Sequence, residues 1–185
     1  MKDIALVFTD LKGSTALYDR IGDLNAFALV RQHFDCLRRA TIRHGGAVIK
    51  TIGDAVMAAF LDPAAAVGAG LAMLGEIATF NQGLVDKELI LKIGIHKGAA
   101  IAVTLNDQLD YFGQTVNIAA RVQNLADAGE IYLTRAVRDA PGVGELLSSF
   151  EVEARTTRLR GIDQEVPVFR VAPRLAAEAG LAGVV

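Results

Sequence analysis

The chain has 185 residues, 52% of them hydrophobic and 22% charged, with 18 Gly, 4 Pro and a single Cys. That length and composition suit one globular domain with a substantial core and exclude disordered and fibrous classes. Nineteen Lys and Arg against 21 Asp and Glu give a net charge of -2; no long basic run exists, so no nucleic acid partner is expected. The longest uncharged stretch of the Ala-rich middle, residues 63–75, is too short to cross a bilayer. MKDIALVFTD at the start meets Asp10 before a signal-peptide core can form. A cytoplasmic protein without a membrane segment is the expectation. Cys36 alone cannot form an internal disulfide, and the scattered His33, His44 and His96 lack zinc-ligand spacing, so any metal would be bound by oxygen.

IALVF, residues 4–8, is a short apolar run ended by Thr9-Asp10, which predicts a buried strand with a carboxylate just past it. Ser14 or Thr15 can cap a short helix to Tyr18. Asp23 can cap a longer one to about Arg43, with Phe27, Val30, Phe34, Leu37 and Ala40 at helical spacing. VIKTIGDAVMAAF, residues 48–60, then reads as two strands around a Gly53-Asp54 turn. Asp62-Pro63 predicts a helix to about Phe80, and residues 89–103 read as two strands broken around His96 to Gly98. Residues 115–128 read as a helix, 130–134 as a strand, and FEVEARTTRLRG and EVPVFRV as an antiparallel pair around residues 161–164. Hairpin-linked strands with helices between them predict an α+β fold, a mainly antiparallel sheet with helices packed on one face.

Asp10 and Asp54, taken singly, read as solvated turn residues. Together on neighbouring strands they can offer two carboxylates to hard divalent cations. Between Asp10 and the next helix, LKGST supplies Gly13 and backbone N–H groups where phosphate oxygens bind, a weak signal by itself. Asn117 and Arg121 are four apart and share a helix face, so they form either an exposed polar stripe or a pair that holds a sugar oxygen and a phosphate. Asp110 precedes the loop and reads as a residue that caps or turns it, Arg160 reads as a strand-end surface cation and His96 as structural.

FTDLKGST, KTIGDAVMAAF and LDYFGQTVNIAAR, in this order, resemble the catalytic domain of class III nucleotidyl cyclases, the adenylate and guanylate cyclases. The likeness runs from about Ile4 to Val171, giving a domain over residues 1–172 and a tail, 173–185, of no evident role. The resemblance implies a ferredoxin-like, palm-type sheet and a homodimer with active sites shared between chains, in some relatives below an upstream regulatory domain. It implies two divalent cations, Mg2+ or Mn2+, at Asp10 and Asp54 with the Leu11 carbonyl as a further ligand. Lys50 and Asp110 match the pair that reads the purine, Asn117 the ribose-positioning residue and Arg121 the transition-state residue. Arg160 falls where the family commonly has a triphosphate-binding Lys, and Lys12, Gly13, Ser14 and Thr15 form the loop beside the phosphates. Gln114 and Ala120 replace a frequent Asp or Asn and a frequent Ser; neither removes a catalytic group. Guanylate cyclases typically carry Glu and Cys in place of Lys50 and Asp110, so the resemblance implies ATP as substrate. A guanylate cyclase and a non-catalytic nucleotide-binding or dimerisation module are the alternatives. Lys50 and Asp54 look like an ion pair, but an extended backbone sets them up to ~13 Å apart at about 3.3 Å per residue. The resemblance gives them separate tasks in the two sites of the dimer.

Overall fold

The computed structural model describes residues 2–84 and 89–174. The run from Ile4 to Phe8 alternates its side chains between two buried faces and so forms the centre of β1 (Lys2–Leu11), which extends past the expected end and takes Asp10 into the strand. Helix α1 (Ser14–Ile21) follows, then α2 (Asp23–Arg43). Neither begins with the expected side-chain cap: Gly13 at φ 71° and Gly22 at φ 77° are the N-caps, so Ser14 and Asp23 already lie inside their helices. Both glycines adopt the left-handed backbone region that a side chain disfavours. On α2, Val30, Leu37 and Ala40 are buried as the spacing predicts, whereas Phe27 is 63% exposed.

β2 (Ala47–Ile52) and β3 (Ala55–Phe60) form the expected hairpin, with Gly53 at φ 62°. α3 (Pro63–Gln82) starts at Asp62, whose carboxylate accepts from the Ala64 N–H at 3.0 Å. By length and composition this helix could cross a bilayer, which the 63–75 stretch did not suggest. Ala66, Val67, Ala69, Met73 and Ile77 are instead buried in the core beside β1 and β4, where a soluble core helix buries its face.

Residues 89–103 depart from expectation. They belong to one strand, β4 (Leu91–Leu105), which runs unbroken through His96 to Gly98. The glycines mark close approach, not a break. A Cβ on Gly94 would lie 2.1 Å from the Gln123 nitrogen, and one on Gly98 would lie 2.7 Å from the Thr115 hydroxyl. Both neighbours belong to α4 (Gln114–Gln123), which lies across this strand. The far end of β4 turns at Asn106-Asp107, both at positive φ, into β5 (Gln108–Phe112). β6 (Ile131–Thr134) leads into two short helices, α5 (Arg135–Arg138) and α6 (Val143–Leu146). β7 (Phe150–Arg158) and β8 (Glu165–Pro173) then pair as expected. Pro173 closes β8; the remainder of the tail, 175–185, lies outside the described residues.

The sheet order is β2-β3-β1-β4-β6-β8-β7, with β5 on the far end of β4. Only the β4–β6 pairing is parallel, so the α+β, mainly antiparallel expectation holds. The two long helices, α2 and α3, cover the face made by Ala5, Val7, Ile93 and Ile131. Ile4, Leu6, Phe8 and Met57 point to the other face and meet Val116 and Ala119 of α4. Period-two alternation in β1 therefore puts Asp10 on the α4 side of the sheet.

Candidate functional site

Asp10 stands at the end of β1, and Asp54 stands at the adjoining β2–β3 tip because β1 and β3 pair antiparallel. The Asp54 backbone carbonyl meets buried His33 Nε2 at 3.3 Å, which ties the tip to α2. Burial holds that imidazole neutral, with its pKa lowered to about 4. Within the described residues, Asp54 Oδ2 is buried without a hydrogen-bond partner. Burial, and then the neighbouring Asp54 charge, push the Asp10 carboxyl above its ordinary value against the opposing pull of Lys92. Two partly desolvated carboxylates of like charge, one with an unmatched oxygen, form a donor set that fits a hard cation. No cluster of three or more His, Cys, Asp or Glu suited to a metal occurs among the described residues. Further ligands would therefore be carbonyl, water or phosphate oxygens. Leu11, the expected carbonyl ligand, is buried, and its N–H supports the Asp10 carboxylate.

Beyond Leu11, Gly13 is the N-cap of α1 and no side chain caps the helix. The first-turn amides at Ser14 and Thr15 are thus left without a side-chain acceptor, as anion binding requires. Lys12 of this loop forms an ion pair with Asp127, just after α4. A cavity of about 880 Å³ lies beside the loop, lined by Lys12, Gly13, Ser14, Arg20 and Asn81 among others.

Lys50 and Asp110 are brought together. The Lys50 ammonium donates to Asp110 Oδ2 at 2.6 Å, and the Tyr111 N–H donates to Asp110 Oδ1 at 2.8 Å. The Lys50 bond above all, with help from Tyr111, pulls the Asp110 carboxyl below its ordinary value. The supposed Lys50–Asp54 pair is absent from the ion pairs of the described residues. Asp110 lies within strand β5, where it neither caps nor turns the loop that follows.

Asn117 and Arg121 share a face of α4, as their spacing predicts. Thr115, Ala119, Val122 and Gln123 are the buried residues of this helix. At 100° per residue, the Asn117–Arg121 stripe lies about 180° from that buried face. One chain therefore turns this stripe away from the sheet that carries Asp10. Arg121 instead flanks the β7–β8 turn: a Cβ on Gly161 would lie 3.4 Å from its guanidinium. Exposed Arg160 precedes that glycine, so the two arginines occupy neighbouring segments.

Sequence reasoning missed Lys92, 3.7 Å from Asp10, as well as Asp127 and His33. A lone lysine in the apolar run LILKIGI was the available signal for Lys92. Asp127 and His33 left no local signal.

The fold and this arrangement have known counterparts. The model of the adenylate and guanylate cyclase catalytic domain matches residues 1–167, and the chain belongs to that family. It is 34% identical over 152 residues to an adenylate cyclase of Lachancea kluyveri, covering 71% of this chain and 8% of that protein. It is 36% identical over 124 residues to a pH-sensitive adenylate cyclase of Mycobacterium tuberculosis, covering 66% and 29%. The chain thus spans a minor part of these relatives' length. Adenylate cyclases from Trypanosoma brucei, solved in their monomeric state, superpose with a TM-score of 0.76 at 25% identity over 92% of this chain and 90% of theirs. The guanylyl cyclase Cya2 superposes with a TM-score of 0.83 at 22% identity over 93% and 92%, a likeness of fold.

Proposed function

We propose that this domain is an adenylate cyclase that converts ATP to 3′,5′-cyclic AMP and pyrophosphate as a homodimer with two composite active sites. The observation that carries the choice of base is the Lys50–Asp110 pair. Adenine presents a 6-amino donor and a ring N1 acceptor. Asp110 accepts from the amino group while Lys50 donates to N1. Guanine reverses both positions and would leave each group facing its own kind.

Asp10 and Asp54 would hold two divalent cations, Mg2+ or Mn2+, with the Leu11 carbonyl available to one of them. Such cations, when bound, lower the pKa of the 3′-hydroxyl and neutralise charge on the triphosphate. The chain's own groups supply the rest. Gly13, Ser14 and Thr15 offer α1 amides to phosphate oxygens, with Lys12 beside them, and Arg160 adds a cation for the triphosphate. Asn117 holds the ribose so that the 3′-oxygen lies in line with the α-phosphorus. Arg121 stabilises the charge that develops on the α-phosphoryl group, a contribution of ~10²–10³ in rate for one preorganised donor. The hydroxyl oxygen bonds to phosphorus as the bond to the leaving pyrophosphate breaks; no protein nucleophile is required.

The outward turn of the Asn117–Arg121 stripe supports sharing between chains, because Asp10 and the stripe of one chain do not face each other. An arm for the partner is at hand in β4–β5, where Ile101, Leu105, Leu109 and Phe112 are each about half exposed. Regulation through an upstream domain, and a cytoplasmic place for this domain, belong to the same reading.

Cyclase assays with ATP and with GTP across protein concentration test it. Cyclic AMP should form, with ATP preferred and specific activity rising with concentration. A preference for GTP overturns the Lys50–Asp110 assignment. Nucleotide binding without cyclic product, in Mg2+ or in Mn2+, makes the domain a non-catalytic module.

A further inference from the structure

Lys92 is a lysine in a strand whose neighbours are buried: Leu91, Ile93 and Ile95 all face the core on the other side of the sheet. It stands directly opposite Asp10 in the β1–β4 register, with a side chain only 17% exposed and its ammonium 3.7 Å from Asp10 Oδ2. It shares the α4 side of the sheet with Asp10, and its charge also reaches the Asp127 carboxylate, which in turn pairs with Lys12.

We propose that Lys92 is the resident counter-cation of the metal site: it offsets part of the charge of the Asp10 and Asp54 carboxylates when no divalent cation is bound and opposes a bound one by its own charge, so that it sets the site's cation affinity. The inference rests on the reading of Asp10 and Asp54 as the metal-binding carboxylates. A cation bound to Asp10 Oδ2 at ~2.1 Å can lie no more than about 6 Å from an ammonium that stays in place, close enough for strong repulsion in a part-buried site. Asp127 offers the displaced ammonium a second carboxylate. Positioning of Asp10 is a smaller matter, because the β1–β4 ladder fixes its backbone and the Leu11 N–H supports its carboxylate without Lys92. Lys92 thus acts on the site through charge and touches no reacting atom.

The test is Mn2+ binding to the purified full chain without nucleotide, read by loss of the free-ion paramagnetic resonance signal at fixed pH and ionic strength. Lys92→Met, which keeps length and removes charge, should bind Mn2+ ~10-fold more tightly than the wild type. Lys92→Arg should stay close to the wild type. Lys92→Gln provides the same charge removal if the methionine variant does not fold, with folding checked by circular dichroism. Equal or weaker Mn2+ binding in a folded charge-removed variant overturns the role of Lys92. If wild-type Mn2+ binding is missing, or survives Asp54→Asn unchanged, the metal assignment itself fails and the inference with it.

Discussion

At Lys50 the β2–β3 hairpin carries a charge that Asp110 answers at 2.6 Å, whereas four residues on, at Asp54, it carries a carboxylate oxygen that is buried and unpartnered among the described residues. One short element therefore presents a closed electrostatic pair and an open one. The closed pair is a donor and an acceptor already matched to each other, so a base that offers the complementary pattern can engage both without a new charge in the site. The open pole, Asp10 with Asp54, has like charges pushed together by the fold, and the pull of Lys92 and of the Leu11 N–H does not cancel them. Such an arrangement costs stability in the isolated chain and gains it when a cation binds.

The largest effects should follow from breaking the open pole. Asp54→Asn should lower turnover by ~10³-fold or more while leaving the protein folded, the outcome expected of a carboxylate whose task is to bind a cation. Arg121→Ala should cost ~10²–10³-fold. If sites are shared, an equal mixture of the two variants forms heterodimers with one intact site each and recovers roughly a quarter of wild-type activity. Recovery is read in a cyclase assay after heterodimers are shown by mass; none at all would place each site within one chain. The closed pole should give a smaller and more selective effect. Lys50→Glu with Asp110→Cys should lower the ATP-to-GTP ratio of kcat/KM by ~10–10²-fold, with much less loss of total turnover. An unchanged ratio would remove the pair from base recognition.

Why one pole could be read in the sequence further than the other follows from where its information lies. Gly53-Asp54 between two branched runs specifies the hairpin locally, and the β1 run carries Asp10 to the strand end beside it, so the meeting of these two carboxylates was legible as residues. Asp62-Pro63 likewise specified the start of α3. The Lys50–Asp110 bond was not legible as geometry, since it depends on β5, which was missed altogether. Asn106-Asp107, two residues suited to positive φ between alternating runs, was the overlooked hairpin signal. Gly98 misled for a related reason, and Gly94 carried the same unread meaning. Both mark the close passage of α4, and a tertiary contact leaves glycine in the sequence without saying what comes near. Lys12–Asp127 and Lys92–Asp10 are also tertiary facts, set by strand register and by the loop after α4.

The smallest effects, on stability, should have opposite signs at the two poles. Burial and Asp54 raise the Asp10 pKa in the folded chain, so the folded state binds its proton more readily than the unfolded state. Ionised Asp10 therefore costs stability at neutral pH, a cost that fades as pH falls through the raised value. Asp10→Asn should accordingly raise the Tm of the cation-free protein at neutral pH by a few degrees, a chain of this size moving ~2–4 °C per kcal/mol. The gain should shrink on acidification, and divalent cation should stabilise the wild type alone. At Asp110 the folded pKa is lowered, chiefly by Lys50, so the ionised carboxylate contributes stability that is present above the unfolded value and lost as pH falls through the folded one. Asp110→Asn should then lower Tm at neutral pH by no more than ~2–4 °C, the equivalent of ~1 kcal/mol, because Lys50 is partly exposed to solvent. Thermal melts of both variants from pH 7.5 downward, with and without Mn2+, read the contrast directly: the two curves should lie on opposite sides of the wild type at neutral pH and converge on it in acid. Curves on the same side would mean that the open pole is not under like-charge strain, and that Lys92 already balances it.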